Sequence, residues 1–239
     1  MSTLYHTFFY DPLYNTLIAL FDILPWADAG IVVIVLTVLV RFILYPLSKK
    51  AVITQIKMKE IAPELKEIKN KYKTPEEQAR KTLELYKTSG VNPFSGVFVI
   101  LIQLPIIWAL YQIFLHALPA VDPEVLYSFV KVPDAINTTF LGWIDITKKN
   151  AILAFLAAAT TYFQIKIATQ NQPQPTGDNS FGDNLARSMQ VQMKFIFPVL
   201  VFFISFSISG VIALYWLTTN LFTIGQELLV MKKFKSAQV

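Results

Sequence analysis

The chain has no cysteine among its 239 residues. That absence excludes disulfides, thiolate metal sites, a cysteine nucleophile and a lipid-bearing cysteine. Charge is scarce as well: Asp, Glu, Lys and Arg make up 15% of the residues, against about 25% in an ordinary soluble domain. The scarcity is segregated, because residues 94–121 and 195–226 carry no charged side chain at all. Histidine occurs only as His6 and His116, far apart in the sequence and both expected at the external surface. With no nucleophile–base pair, paired aspartates or metal cluster in the apolar stretches, no catalytic residue, metal or cofactor is expected. No Lys or Arg precedes Arg41. The basic start of a signal peptide is therefore missing, and the N-terminus is expected to be retained. No internal repeat relates the two halves.

What is there is mostly apolar, with 54% hydrophobic residues. A bilayer core of about 30 Å needs about 20 apolar helical residues to cross it, so the chain reads as an all-α integral membrane protein. The first span is placed at 29–47, the second at 94–118 and the third at 151–169. The stretch 195–226 is too long for one comfortable span. Arg187 and Lys194 precede it and Lys232, Lys233 and Lys235 follow it. A basic flank on both ends means two crossings, 193–209 and 211–230, reversing at Ser209-Gly210. The segment 48–93 holds 11 Lys and Arg, whereas the first 30 residues hold none. This asymmetry predicts the N-terminus outside and the C-terminus in the cytoplasm. The connections 48–93 and 170–192 and the basic tail 231–239 are then cytoplasmic, and the loop 119–150 is external. The net charge of +5 belongs to this bias and implies no nucleic-acid specificity. In the external segment 1–28, Leu13, Leu17, Leu20, Phe21 and Leu24 recur at helical spacing. They define an amphipathic helix that lies on the membrane surface or packs on the spans.

The segment 48–93 is both charged and periodic. Ile53, Ile56, Ile61, Leu65, Ile68 and Tyr72 fall on one helical face, and Pro63 is expected to kink that arm. Thr74-Pro75-Glu76-Glu77 has the form of a capping box with proline in the first turn. A second helix follows, with Ala79, Leu83 and Tyr86 on one face, and Gly90 can end it. An antiparallel helical hairpin results, either a solvated loop or a docking arm.

Arg41 stands about 16 Å along the helix from Gly30 and about 12 Å before Lys49. It is therefore well inside the first span, where an arginine costs at least about 2.5–3.5 kcal/mol. The other spans are expected to offer it no acid, so its guanidinium should meet water, amides or carbonyls. Thr37 lies one turn earlier on the same face. Gln103, Thr160, Thr161, Gln164, Thr218, Thr219 and Asn220 are further polar residues within the spans. They can line a wet cavity or join helices.

These features sit within a resemblance. Thr37-Val38-Leu39-Val40-Arg41 followed by Tyr45-Pro46-Leu47-Ser48-Lys49 resembles the arginine-bearing helix of the YidC/Oxa1/Alb3 insertases. Lys57-Met58, Pro63-Glu64-Leu65 and Leu85-Tyr86-Lys87 resemble that family's cytoplasmic hairpin. Val91-Asn92-Pro93, Leu101-Ile102-Gln103-Leu104-Pro105-Ile106 and Leu214-Tyr215-Trp216 with Asn220 resemble its later helices. The resemblance implies a five-helix core around a hydrophilic groove. Arg41, Thr37, Gln103, Gln164, Trp216, Tyr215 and Asn220 would belong to that groove, and Lys57, Pro63, Tyr72 and Tyr86 to the docking hairpin. It also implies a membrane protein insertase of a bacterial plasma membrane, working without an enzymatic step or a cofactor. Its partners would be newly made membrane protein clients and lipid, with the ribosome, signal recognition machinery and Sec translocon beside them, and no small-molecule substrate. The short tail, with three lysines, is expected to add little to ribosome binding. A rival for Arg41 is an anion site in a small-solute transporter or channel.

Overall fold

A computed structural model describes residues 3–116, 121–133, 135–170 and 181–236. The start of the external loop, positions 171–180 of the 170–192 connection and the last three residues of the tail lie outside these. The fold is helical, with one two-stranded hairpin. α1 (Thr3–Tyr5) runs through a π-helical turn, His6–Tyr10, into α2 (Asp11–Ile23). There follow α3 (Ala29–Glu60), α4 (Ala62–Lys71), α5 (Pro75–Thr88), α6 (Ser95–His116), β1 (Thr139–Phe140), β2 (Ile144–Asp145), α7 (Ala151–Gln170), α8 (Phe181–Ile208) and α9 (Gly210–Ser236).

α3 begins where Asp28 caps it, the carboxylate accepting from Ile31 N–H at 3.0 Å. It then continues through the expected border at 47/48 for 32 residues, about 48 Å, with Pro46 inside it. Lys49 and Lys50 interrupt the apolar run, but the helix goes on, with Ala51 and Val52 buried beyond them. The expected kink at Pro63 is replaced by a break at Ile61. Pro63 lies in the first turn of α4, where a missing N–H costs nothing. Thr74 caps α5: its hydroxyl accepts from Glu77 N–H at 3.4 Å and donates to the Glu77 carboxylate at 3.0 Å. α4 and α5 pack on one another. Gln78 ties them by donating to the carbonyls of Lys69 (3.2 Å) and Tyr72 (2.7 Å).

Among the described residues three helical stretches are long and apolar enough to cross a bilayer: α3, α7 and Arg187–Ile208 of α8. The apolar stretch of α6, Leu101–Phe114, is shorter. α9 is long, but Thr218, Thr219, Asn220, Thr223 and Gln226 dilute it. α8 starts at Phe181, twelve residues before the expected span, because Ala186, Met189, Gln190 and Gln192 sustain a helix beyond its apolar part.

The bundle is built from α3, α6, α7, α8 and α9, with α9 against both α3 and α7, and α8 against α7. Its apolar core fills the end that carries the 121–150 loop. Val32, Val33 and Leu36 of α3, Leu110 and Ile113 of α6, and Val211 and Ala213 of α9 are all buried there. The loop is fastened to that end. Leu141 N–H donates to Asp28 Oδ2 at 3.0 Å, Ala29 N–H to Asn137 O at 2.7 Å, and Gly210 and Val211 N–H to the carbonyls of Lys148 and Ile146 at 2.8 and 2.9 Å. Gly142 supplies a positive φ in the β1–β2 turn. Gly30 is a different case: a methyl group there would overlap the Phe140 ring.

α2 packs on α3 and α6, with Leu17 and Ile18 fully buried. Its apolar face is thus covered by protein. Asn15, which the spacing puts off that face, is buried too. Its amide donates to the carbonyls of Asp11 and Val125 at 2.8 and 2.9 Å and accepts from Tyr127 N–H at 2.6 Å. One polar side chain fully satisfied by backbone can sit in a core, and hydrophobic periodicity does not reveal it.

Around the bundle the outward side chains are large and apolar. Phe42 and Ile43 on α3, Phe98, Leu101 and Leu104 on α6, Phe155 and Phe163 on α7, and Ile196, Val199 and Phe203 on α8 are all exposed. Such a continuous apolar surface is suited to lipid and not to water.

Candidate functional site

α3, α6 and α9 meet just below the apolar core, and each brings one polar group. Gln103 Nε2 donates to Tyr215 Oη at 2.7 Å. Tyr215 is buried, and its phenol acts electrostatically on the Arg41 guanidinium. Arg41 is half-buried, and among the described residues no hydrogen bond or ion pair reaches it. Its five N–H donors thus have no acceptor among the described residues. Thr37 is 2% exposed and donates to Val33 O at 2.7 Å, so its hydroxyl is spent within its own helix. Trp216 is half-buried against the core.

Two further polar seams run along α9. Toward α3, Gln226 Nε2 donates to Ser48 Oγ at 2.6 Å and reaches Tyr45 O at 3.4 Å. Toward α7, the Asn220 amide donates to Thr161 Oγ1 at 2.7 Å, Thr160 Oγ1 at 3.2 Å and Ala157 O at 3.3 Å. Both threonine hydroxyls already donate within α7, to Ala157 O and Leu156 O at 2.7 and 2.8 Å, so they are free to accept. Asn220 is thus a latch between α7 and α9. Asn220→Leu keeps the bulk and removes the donors. It is expected to cost about 1–2 kcal/mol, read as a lower unfolding midpoint in detergent.

Seven residues beyond Asn220, on the same face, Glu227 is 5% exposed. The expectation of no acid in the other spans fails here. The Gln164 amide sits beside this carboxylate, whose Oε2 has no hydrogen-bond partner among the described residues. The signal was present in the sequence: one acid directly after the charge-free stretch 195–226, at a helical seven-residue step from a buried amide.

Arg41, Gln103 and Tyr215 therefore form one cluster, Asn220 a second, and Gln164 belongs with Glu227. The hairpin residues are distributed over several elements. Lys57 is half-buried at the end of α3, Pro63 is exposed at the start of α4, and Tyr72 follows α4. Tyr86 is half-buried on α5, where burial pushes its phenol above the usual tyrosine range.

A family model described as the 60Kd inner membrane protein matches residues 20–237. The membrane protein insertase YidC of Oceanobacillus iheyensis is 31% identical over 209 residues, which cover 85% of this chain and 74% of that protein. The chain belongs to the 60Kd inner membrane protein family. The insertase YidC of Fusobacterium nucleatum is 31% identical over 205 residues, covering 85% of this chain and 86% of its own. A solved structure titled as an active YidC insertase with its first transmembrane domain resolved has the same fold. It matches with a TM-score of 0.56 at 24% identity, over 90% of this chain and 45% of that one. Membership of this inner membrane family accounts for the exposed apolar belt, and the named relatives are insertases.

Proposed function

We propose that the chain inserts client proteins into a bacterial plasma membrane, passing short polar segments through a hydrophilic groove that opens beside Arg41. The observation that carries this is the half-buried arginine with no hydrogen bond or ion pair among the described residues, set where the apolar core of α3, α6 and α9 gives way to polar groups. A short acidic or polar segment is costly to place in hydrocarbon. Water and a fixed cation at mid-membrane reduce that cost. The client's own hydrophobic segment then moves sideways into lipid, and burial of its apolar surface supplies the free energy. No cofactor enters this scheme.

In this reading α3, α6, α7, α8 and α9 are five spans, two of them short, with the N-terminus outside and α4–α5 in the cytoplasm. The short spans thin the bilayer locally. The capped core end is the external end and the groove opens inward. The α4–α5 pair is then placed to receive a nascent chain, with ribosome, targeting factor or translocon as neighbours.

The test is reconstitution. Purified protein in proteoliposomes is given a single-span client with a short acidic N-terminal tail, and insertion is scored by protease protection. Insertion well above empty liposomes is expected. Insertion equal to empty liposomes with several clients, by protein whose fold is verified, would refute the proposal. Saturable anion flux in the same vesicles would support the transporter instead.

A further inference from the structure

Where α3 runs past Pro46 and α6 begins, the two helices and the turn at Gly90 enclose a cavity of about 620 Å³. It is separate from the Arg41 cluster. Lys50 and Lys57 border it. They stand seven residues apart, two turns on one face of α3, and among the described residues neither has an ion pair or hydrogen bond. Lys57 Nζ is held over the turn: a side-chain carbon at Gly90 would stand 3.9 Å from it. None of the described lining residues is acidic. Ser95, at the first turn of α6, borders the cavity with a hydroxyl that has no hydrogen-bond partner among the described residues.

The cavity does not stand alone. From its wall Phe98, Leu101, Leu104 and Trp108 follow down α6 at three- and four-residue steps, and they are 54%, 58%, 57% and 51% exposed. That stripe is about 15 Å long. A small soluble anion would satisfy the lysines and leave the stripe bare. A hydrophobic peptide without acidic residues would cover the stripe and leave two cations unpaired. A single molecule with a phosphate at one end and hydrocarbon at the other satisfies both. Basic pockets between spans on the cytoplasmic side are suited to such headgroups.

We propose that this cavity binds an anionic phospholipid, its phosphate between Lys50 and Lys57 and one acyl chain along Phe98, Leu101, Leu104 and Trp108. The inference rests on the membrane-spanning reading of α3 and α6, and not on insertase activity. Its consequence is a lipid that bridges the start of α6 and the extension of α3.

The test is native mass spectrometry of the full chain in detergent, titrated with phosphatidylglycerol or with phosphatidylcholine of the same chains. One phosphatidylglycerol is expected to stay bound under activation that strips phosphatidylcholine. Lys50→Gln with Lys57→Gln should weaken it about 25-fold, at about a factor of five per lysine. Lys50→Arg with Lys57→Arg should retain it. Leu101→Gln should weaken the lipid without changing any binding of glycerol phosphate. Equal retention of both lipids by the unaltered protein, or preference kept by the double glutamine variant, overturns the proposal. So does displacement of the lipid by equimolar glycerol phosphate or by an acidic peptide, which would make a soluble phosphate or a client tail the ligand. If the glutamine pair does not fold, the arginine pair and Leu101→Gln decide. Lipid retention is read without insertion, so a failure here is distinct from a failure of the insertase.

Discussion

Arg41→Ala is expected to bring insertion of acidic-tailed clients close to the level of empty liposomes. Because the guanidinium has no hydrogen bond or ion pair among the described residues, its charge is open to a client carboxylate. At a separation of about 6 Å and an effective dielectric of about 20 the attraction is about 3 kcal/mol, on the order of 100-fold in partition. Arg41→Lys keeps the charge and should keep most of the activity, while a client with an uncharged tail should be affected far less by Arg41→Ala. Removing an unpaired half-buried cation relieves desolvation, so the variant is expected to be at least as stable as the parent. Protease protection with matched acidic and neutral tails, together with an unfolding midpoint, separates these effects. Equal loss for both tails would show that the charge is not what the client meets.

Gly30→Val is expected to have the largest effect on stability, about 3 kcal/mol or more. Even one methyl at this position would overlap the Phe140 ring, and valine adds two more carbons. Phe140 is buried on β1, whose hairpin is tied to the start of α3 by Leu141 N–H to Asp28 and Ala29 N–H to Asn137 O. Moving the ring therefore loosens the cap of α3 as well. The unfolding midpoint in detergent should fall markedly. Phe140→Ala, destabilising alone, should partly rescue Gly30→Val, a non-additivity expected only of residues in contact. A Gly30→Val protein as stable as the parent would mean that β1 does not pack against α3.

How much of this could be read beforehand depended on the kind of signal. Apolar runs and basic flanks are properties of composition. They point to the three helical stretches long and apolar enough to cross a bilayer and to the break at Ser209, where α8 stops at Ile208 and α9 starts at Gly210. Thr74 and Glu77 are a local pattern, and the cap forms as they require. Arg41 stood out because a charge in an apolar run is expensive wherever it points. Partnerships between distant elements were not legible. Nothing in the spacing says that Gln103 meets Tyr215, or that Asn220 finds two threonines sixty residues earlier, because each amide could equally have faced another helix or water. Burial of Asn15 and of Glu227 was not legible for a related reason, although Glu227 itself stands in view directly after the charge-free stretch 195–226. Periodicity sorts residues by polarity, and these two are polar groups enclosed by tertiary contacts.

The continuity of α3 has a mechanical consequence. An unbroken helix shares a displacement of one end along its length. With its first turn held by Asp28 and Phe140, a displacement of Lys57 or of the α4–α5 pair is expected to be passed along the helix toward that anchor, against the hold of Gln226 on Ser48. Arg41 lies about 18 Å from the anchor and Glu60 about 46 Å. A swing of 5 Å at the far tip would therefore carry Arg41 by roughly 2 Å. Where the rod yields is also set: Pro46 leaves the Phe42 carbonyl without its helical donor, so bending concentrates there and reduces the share of each push that arrives at the arginine.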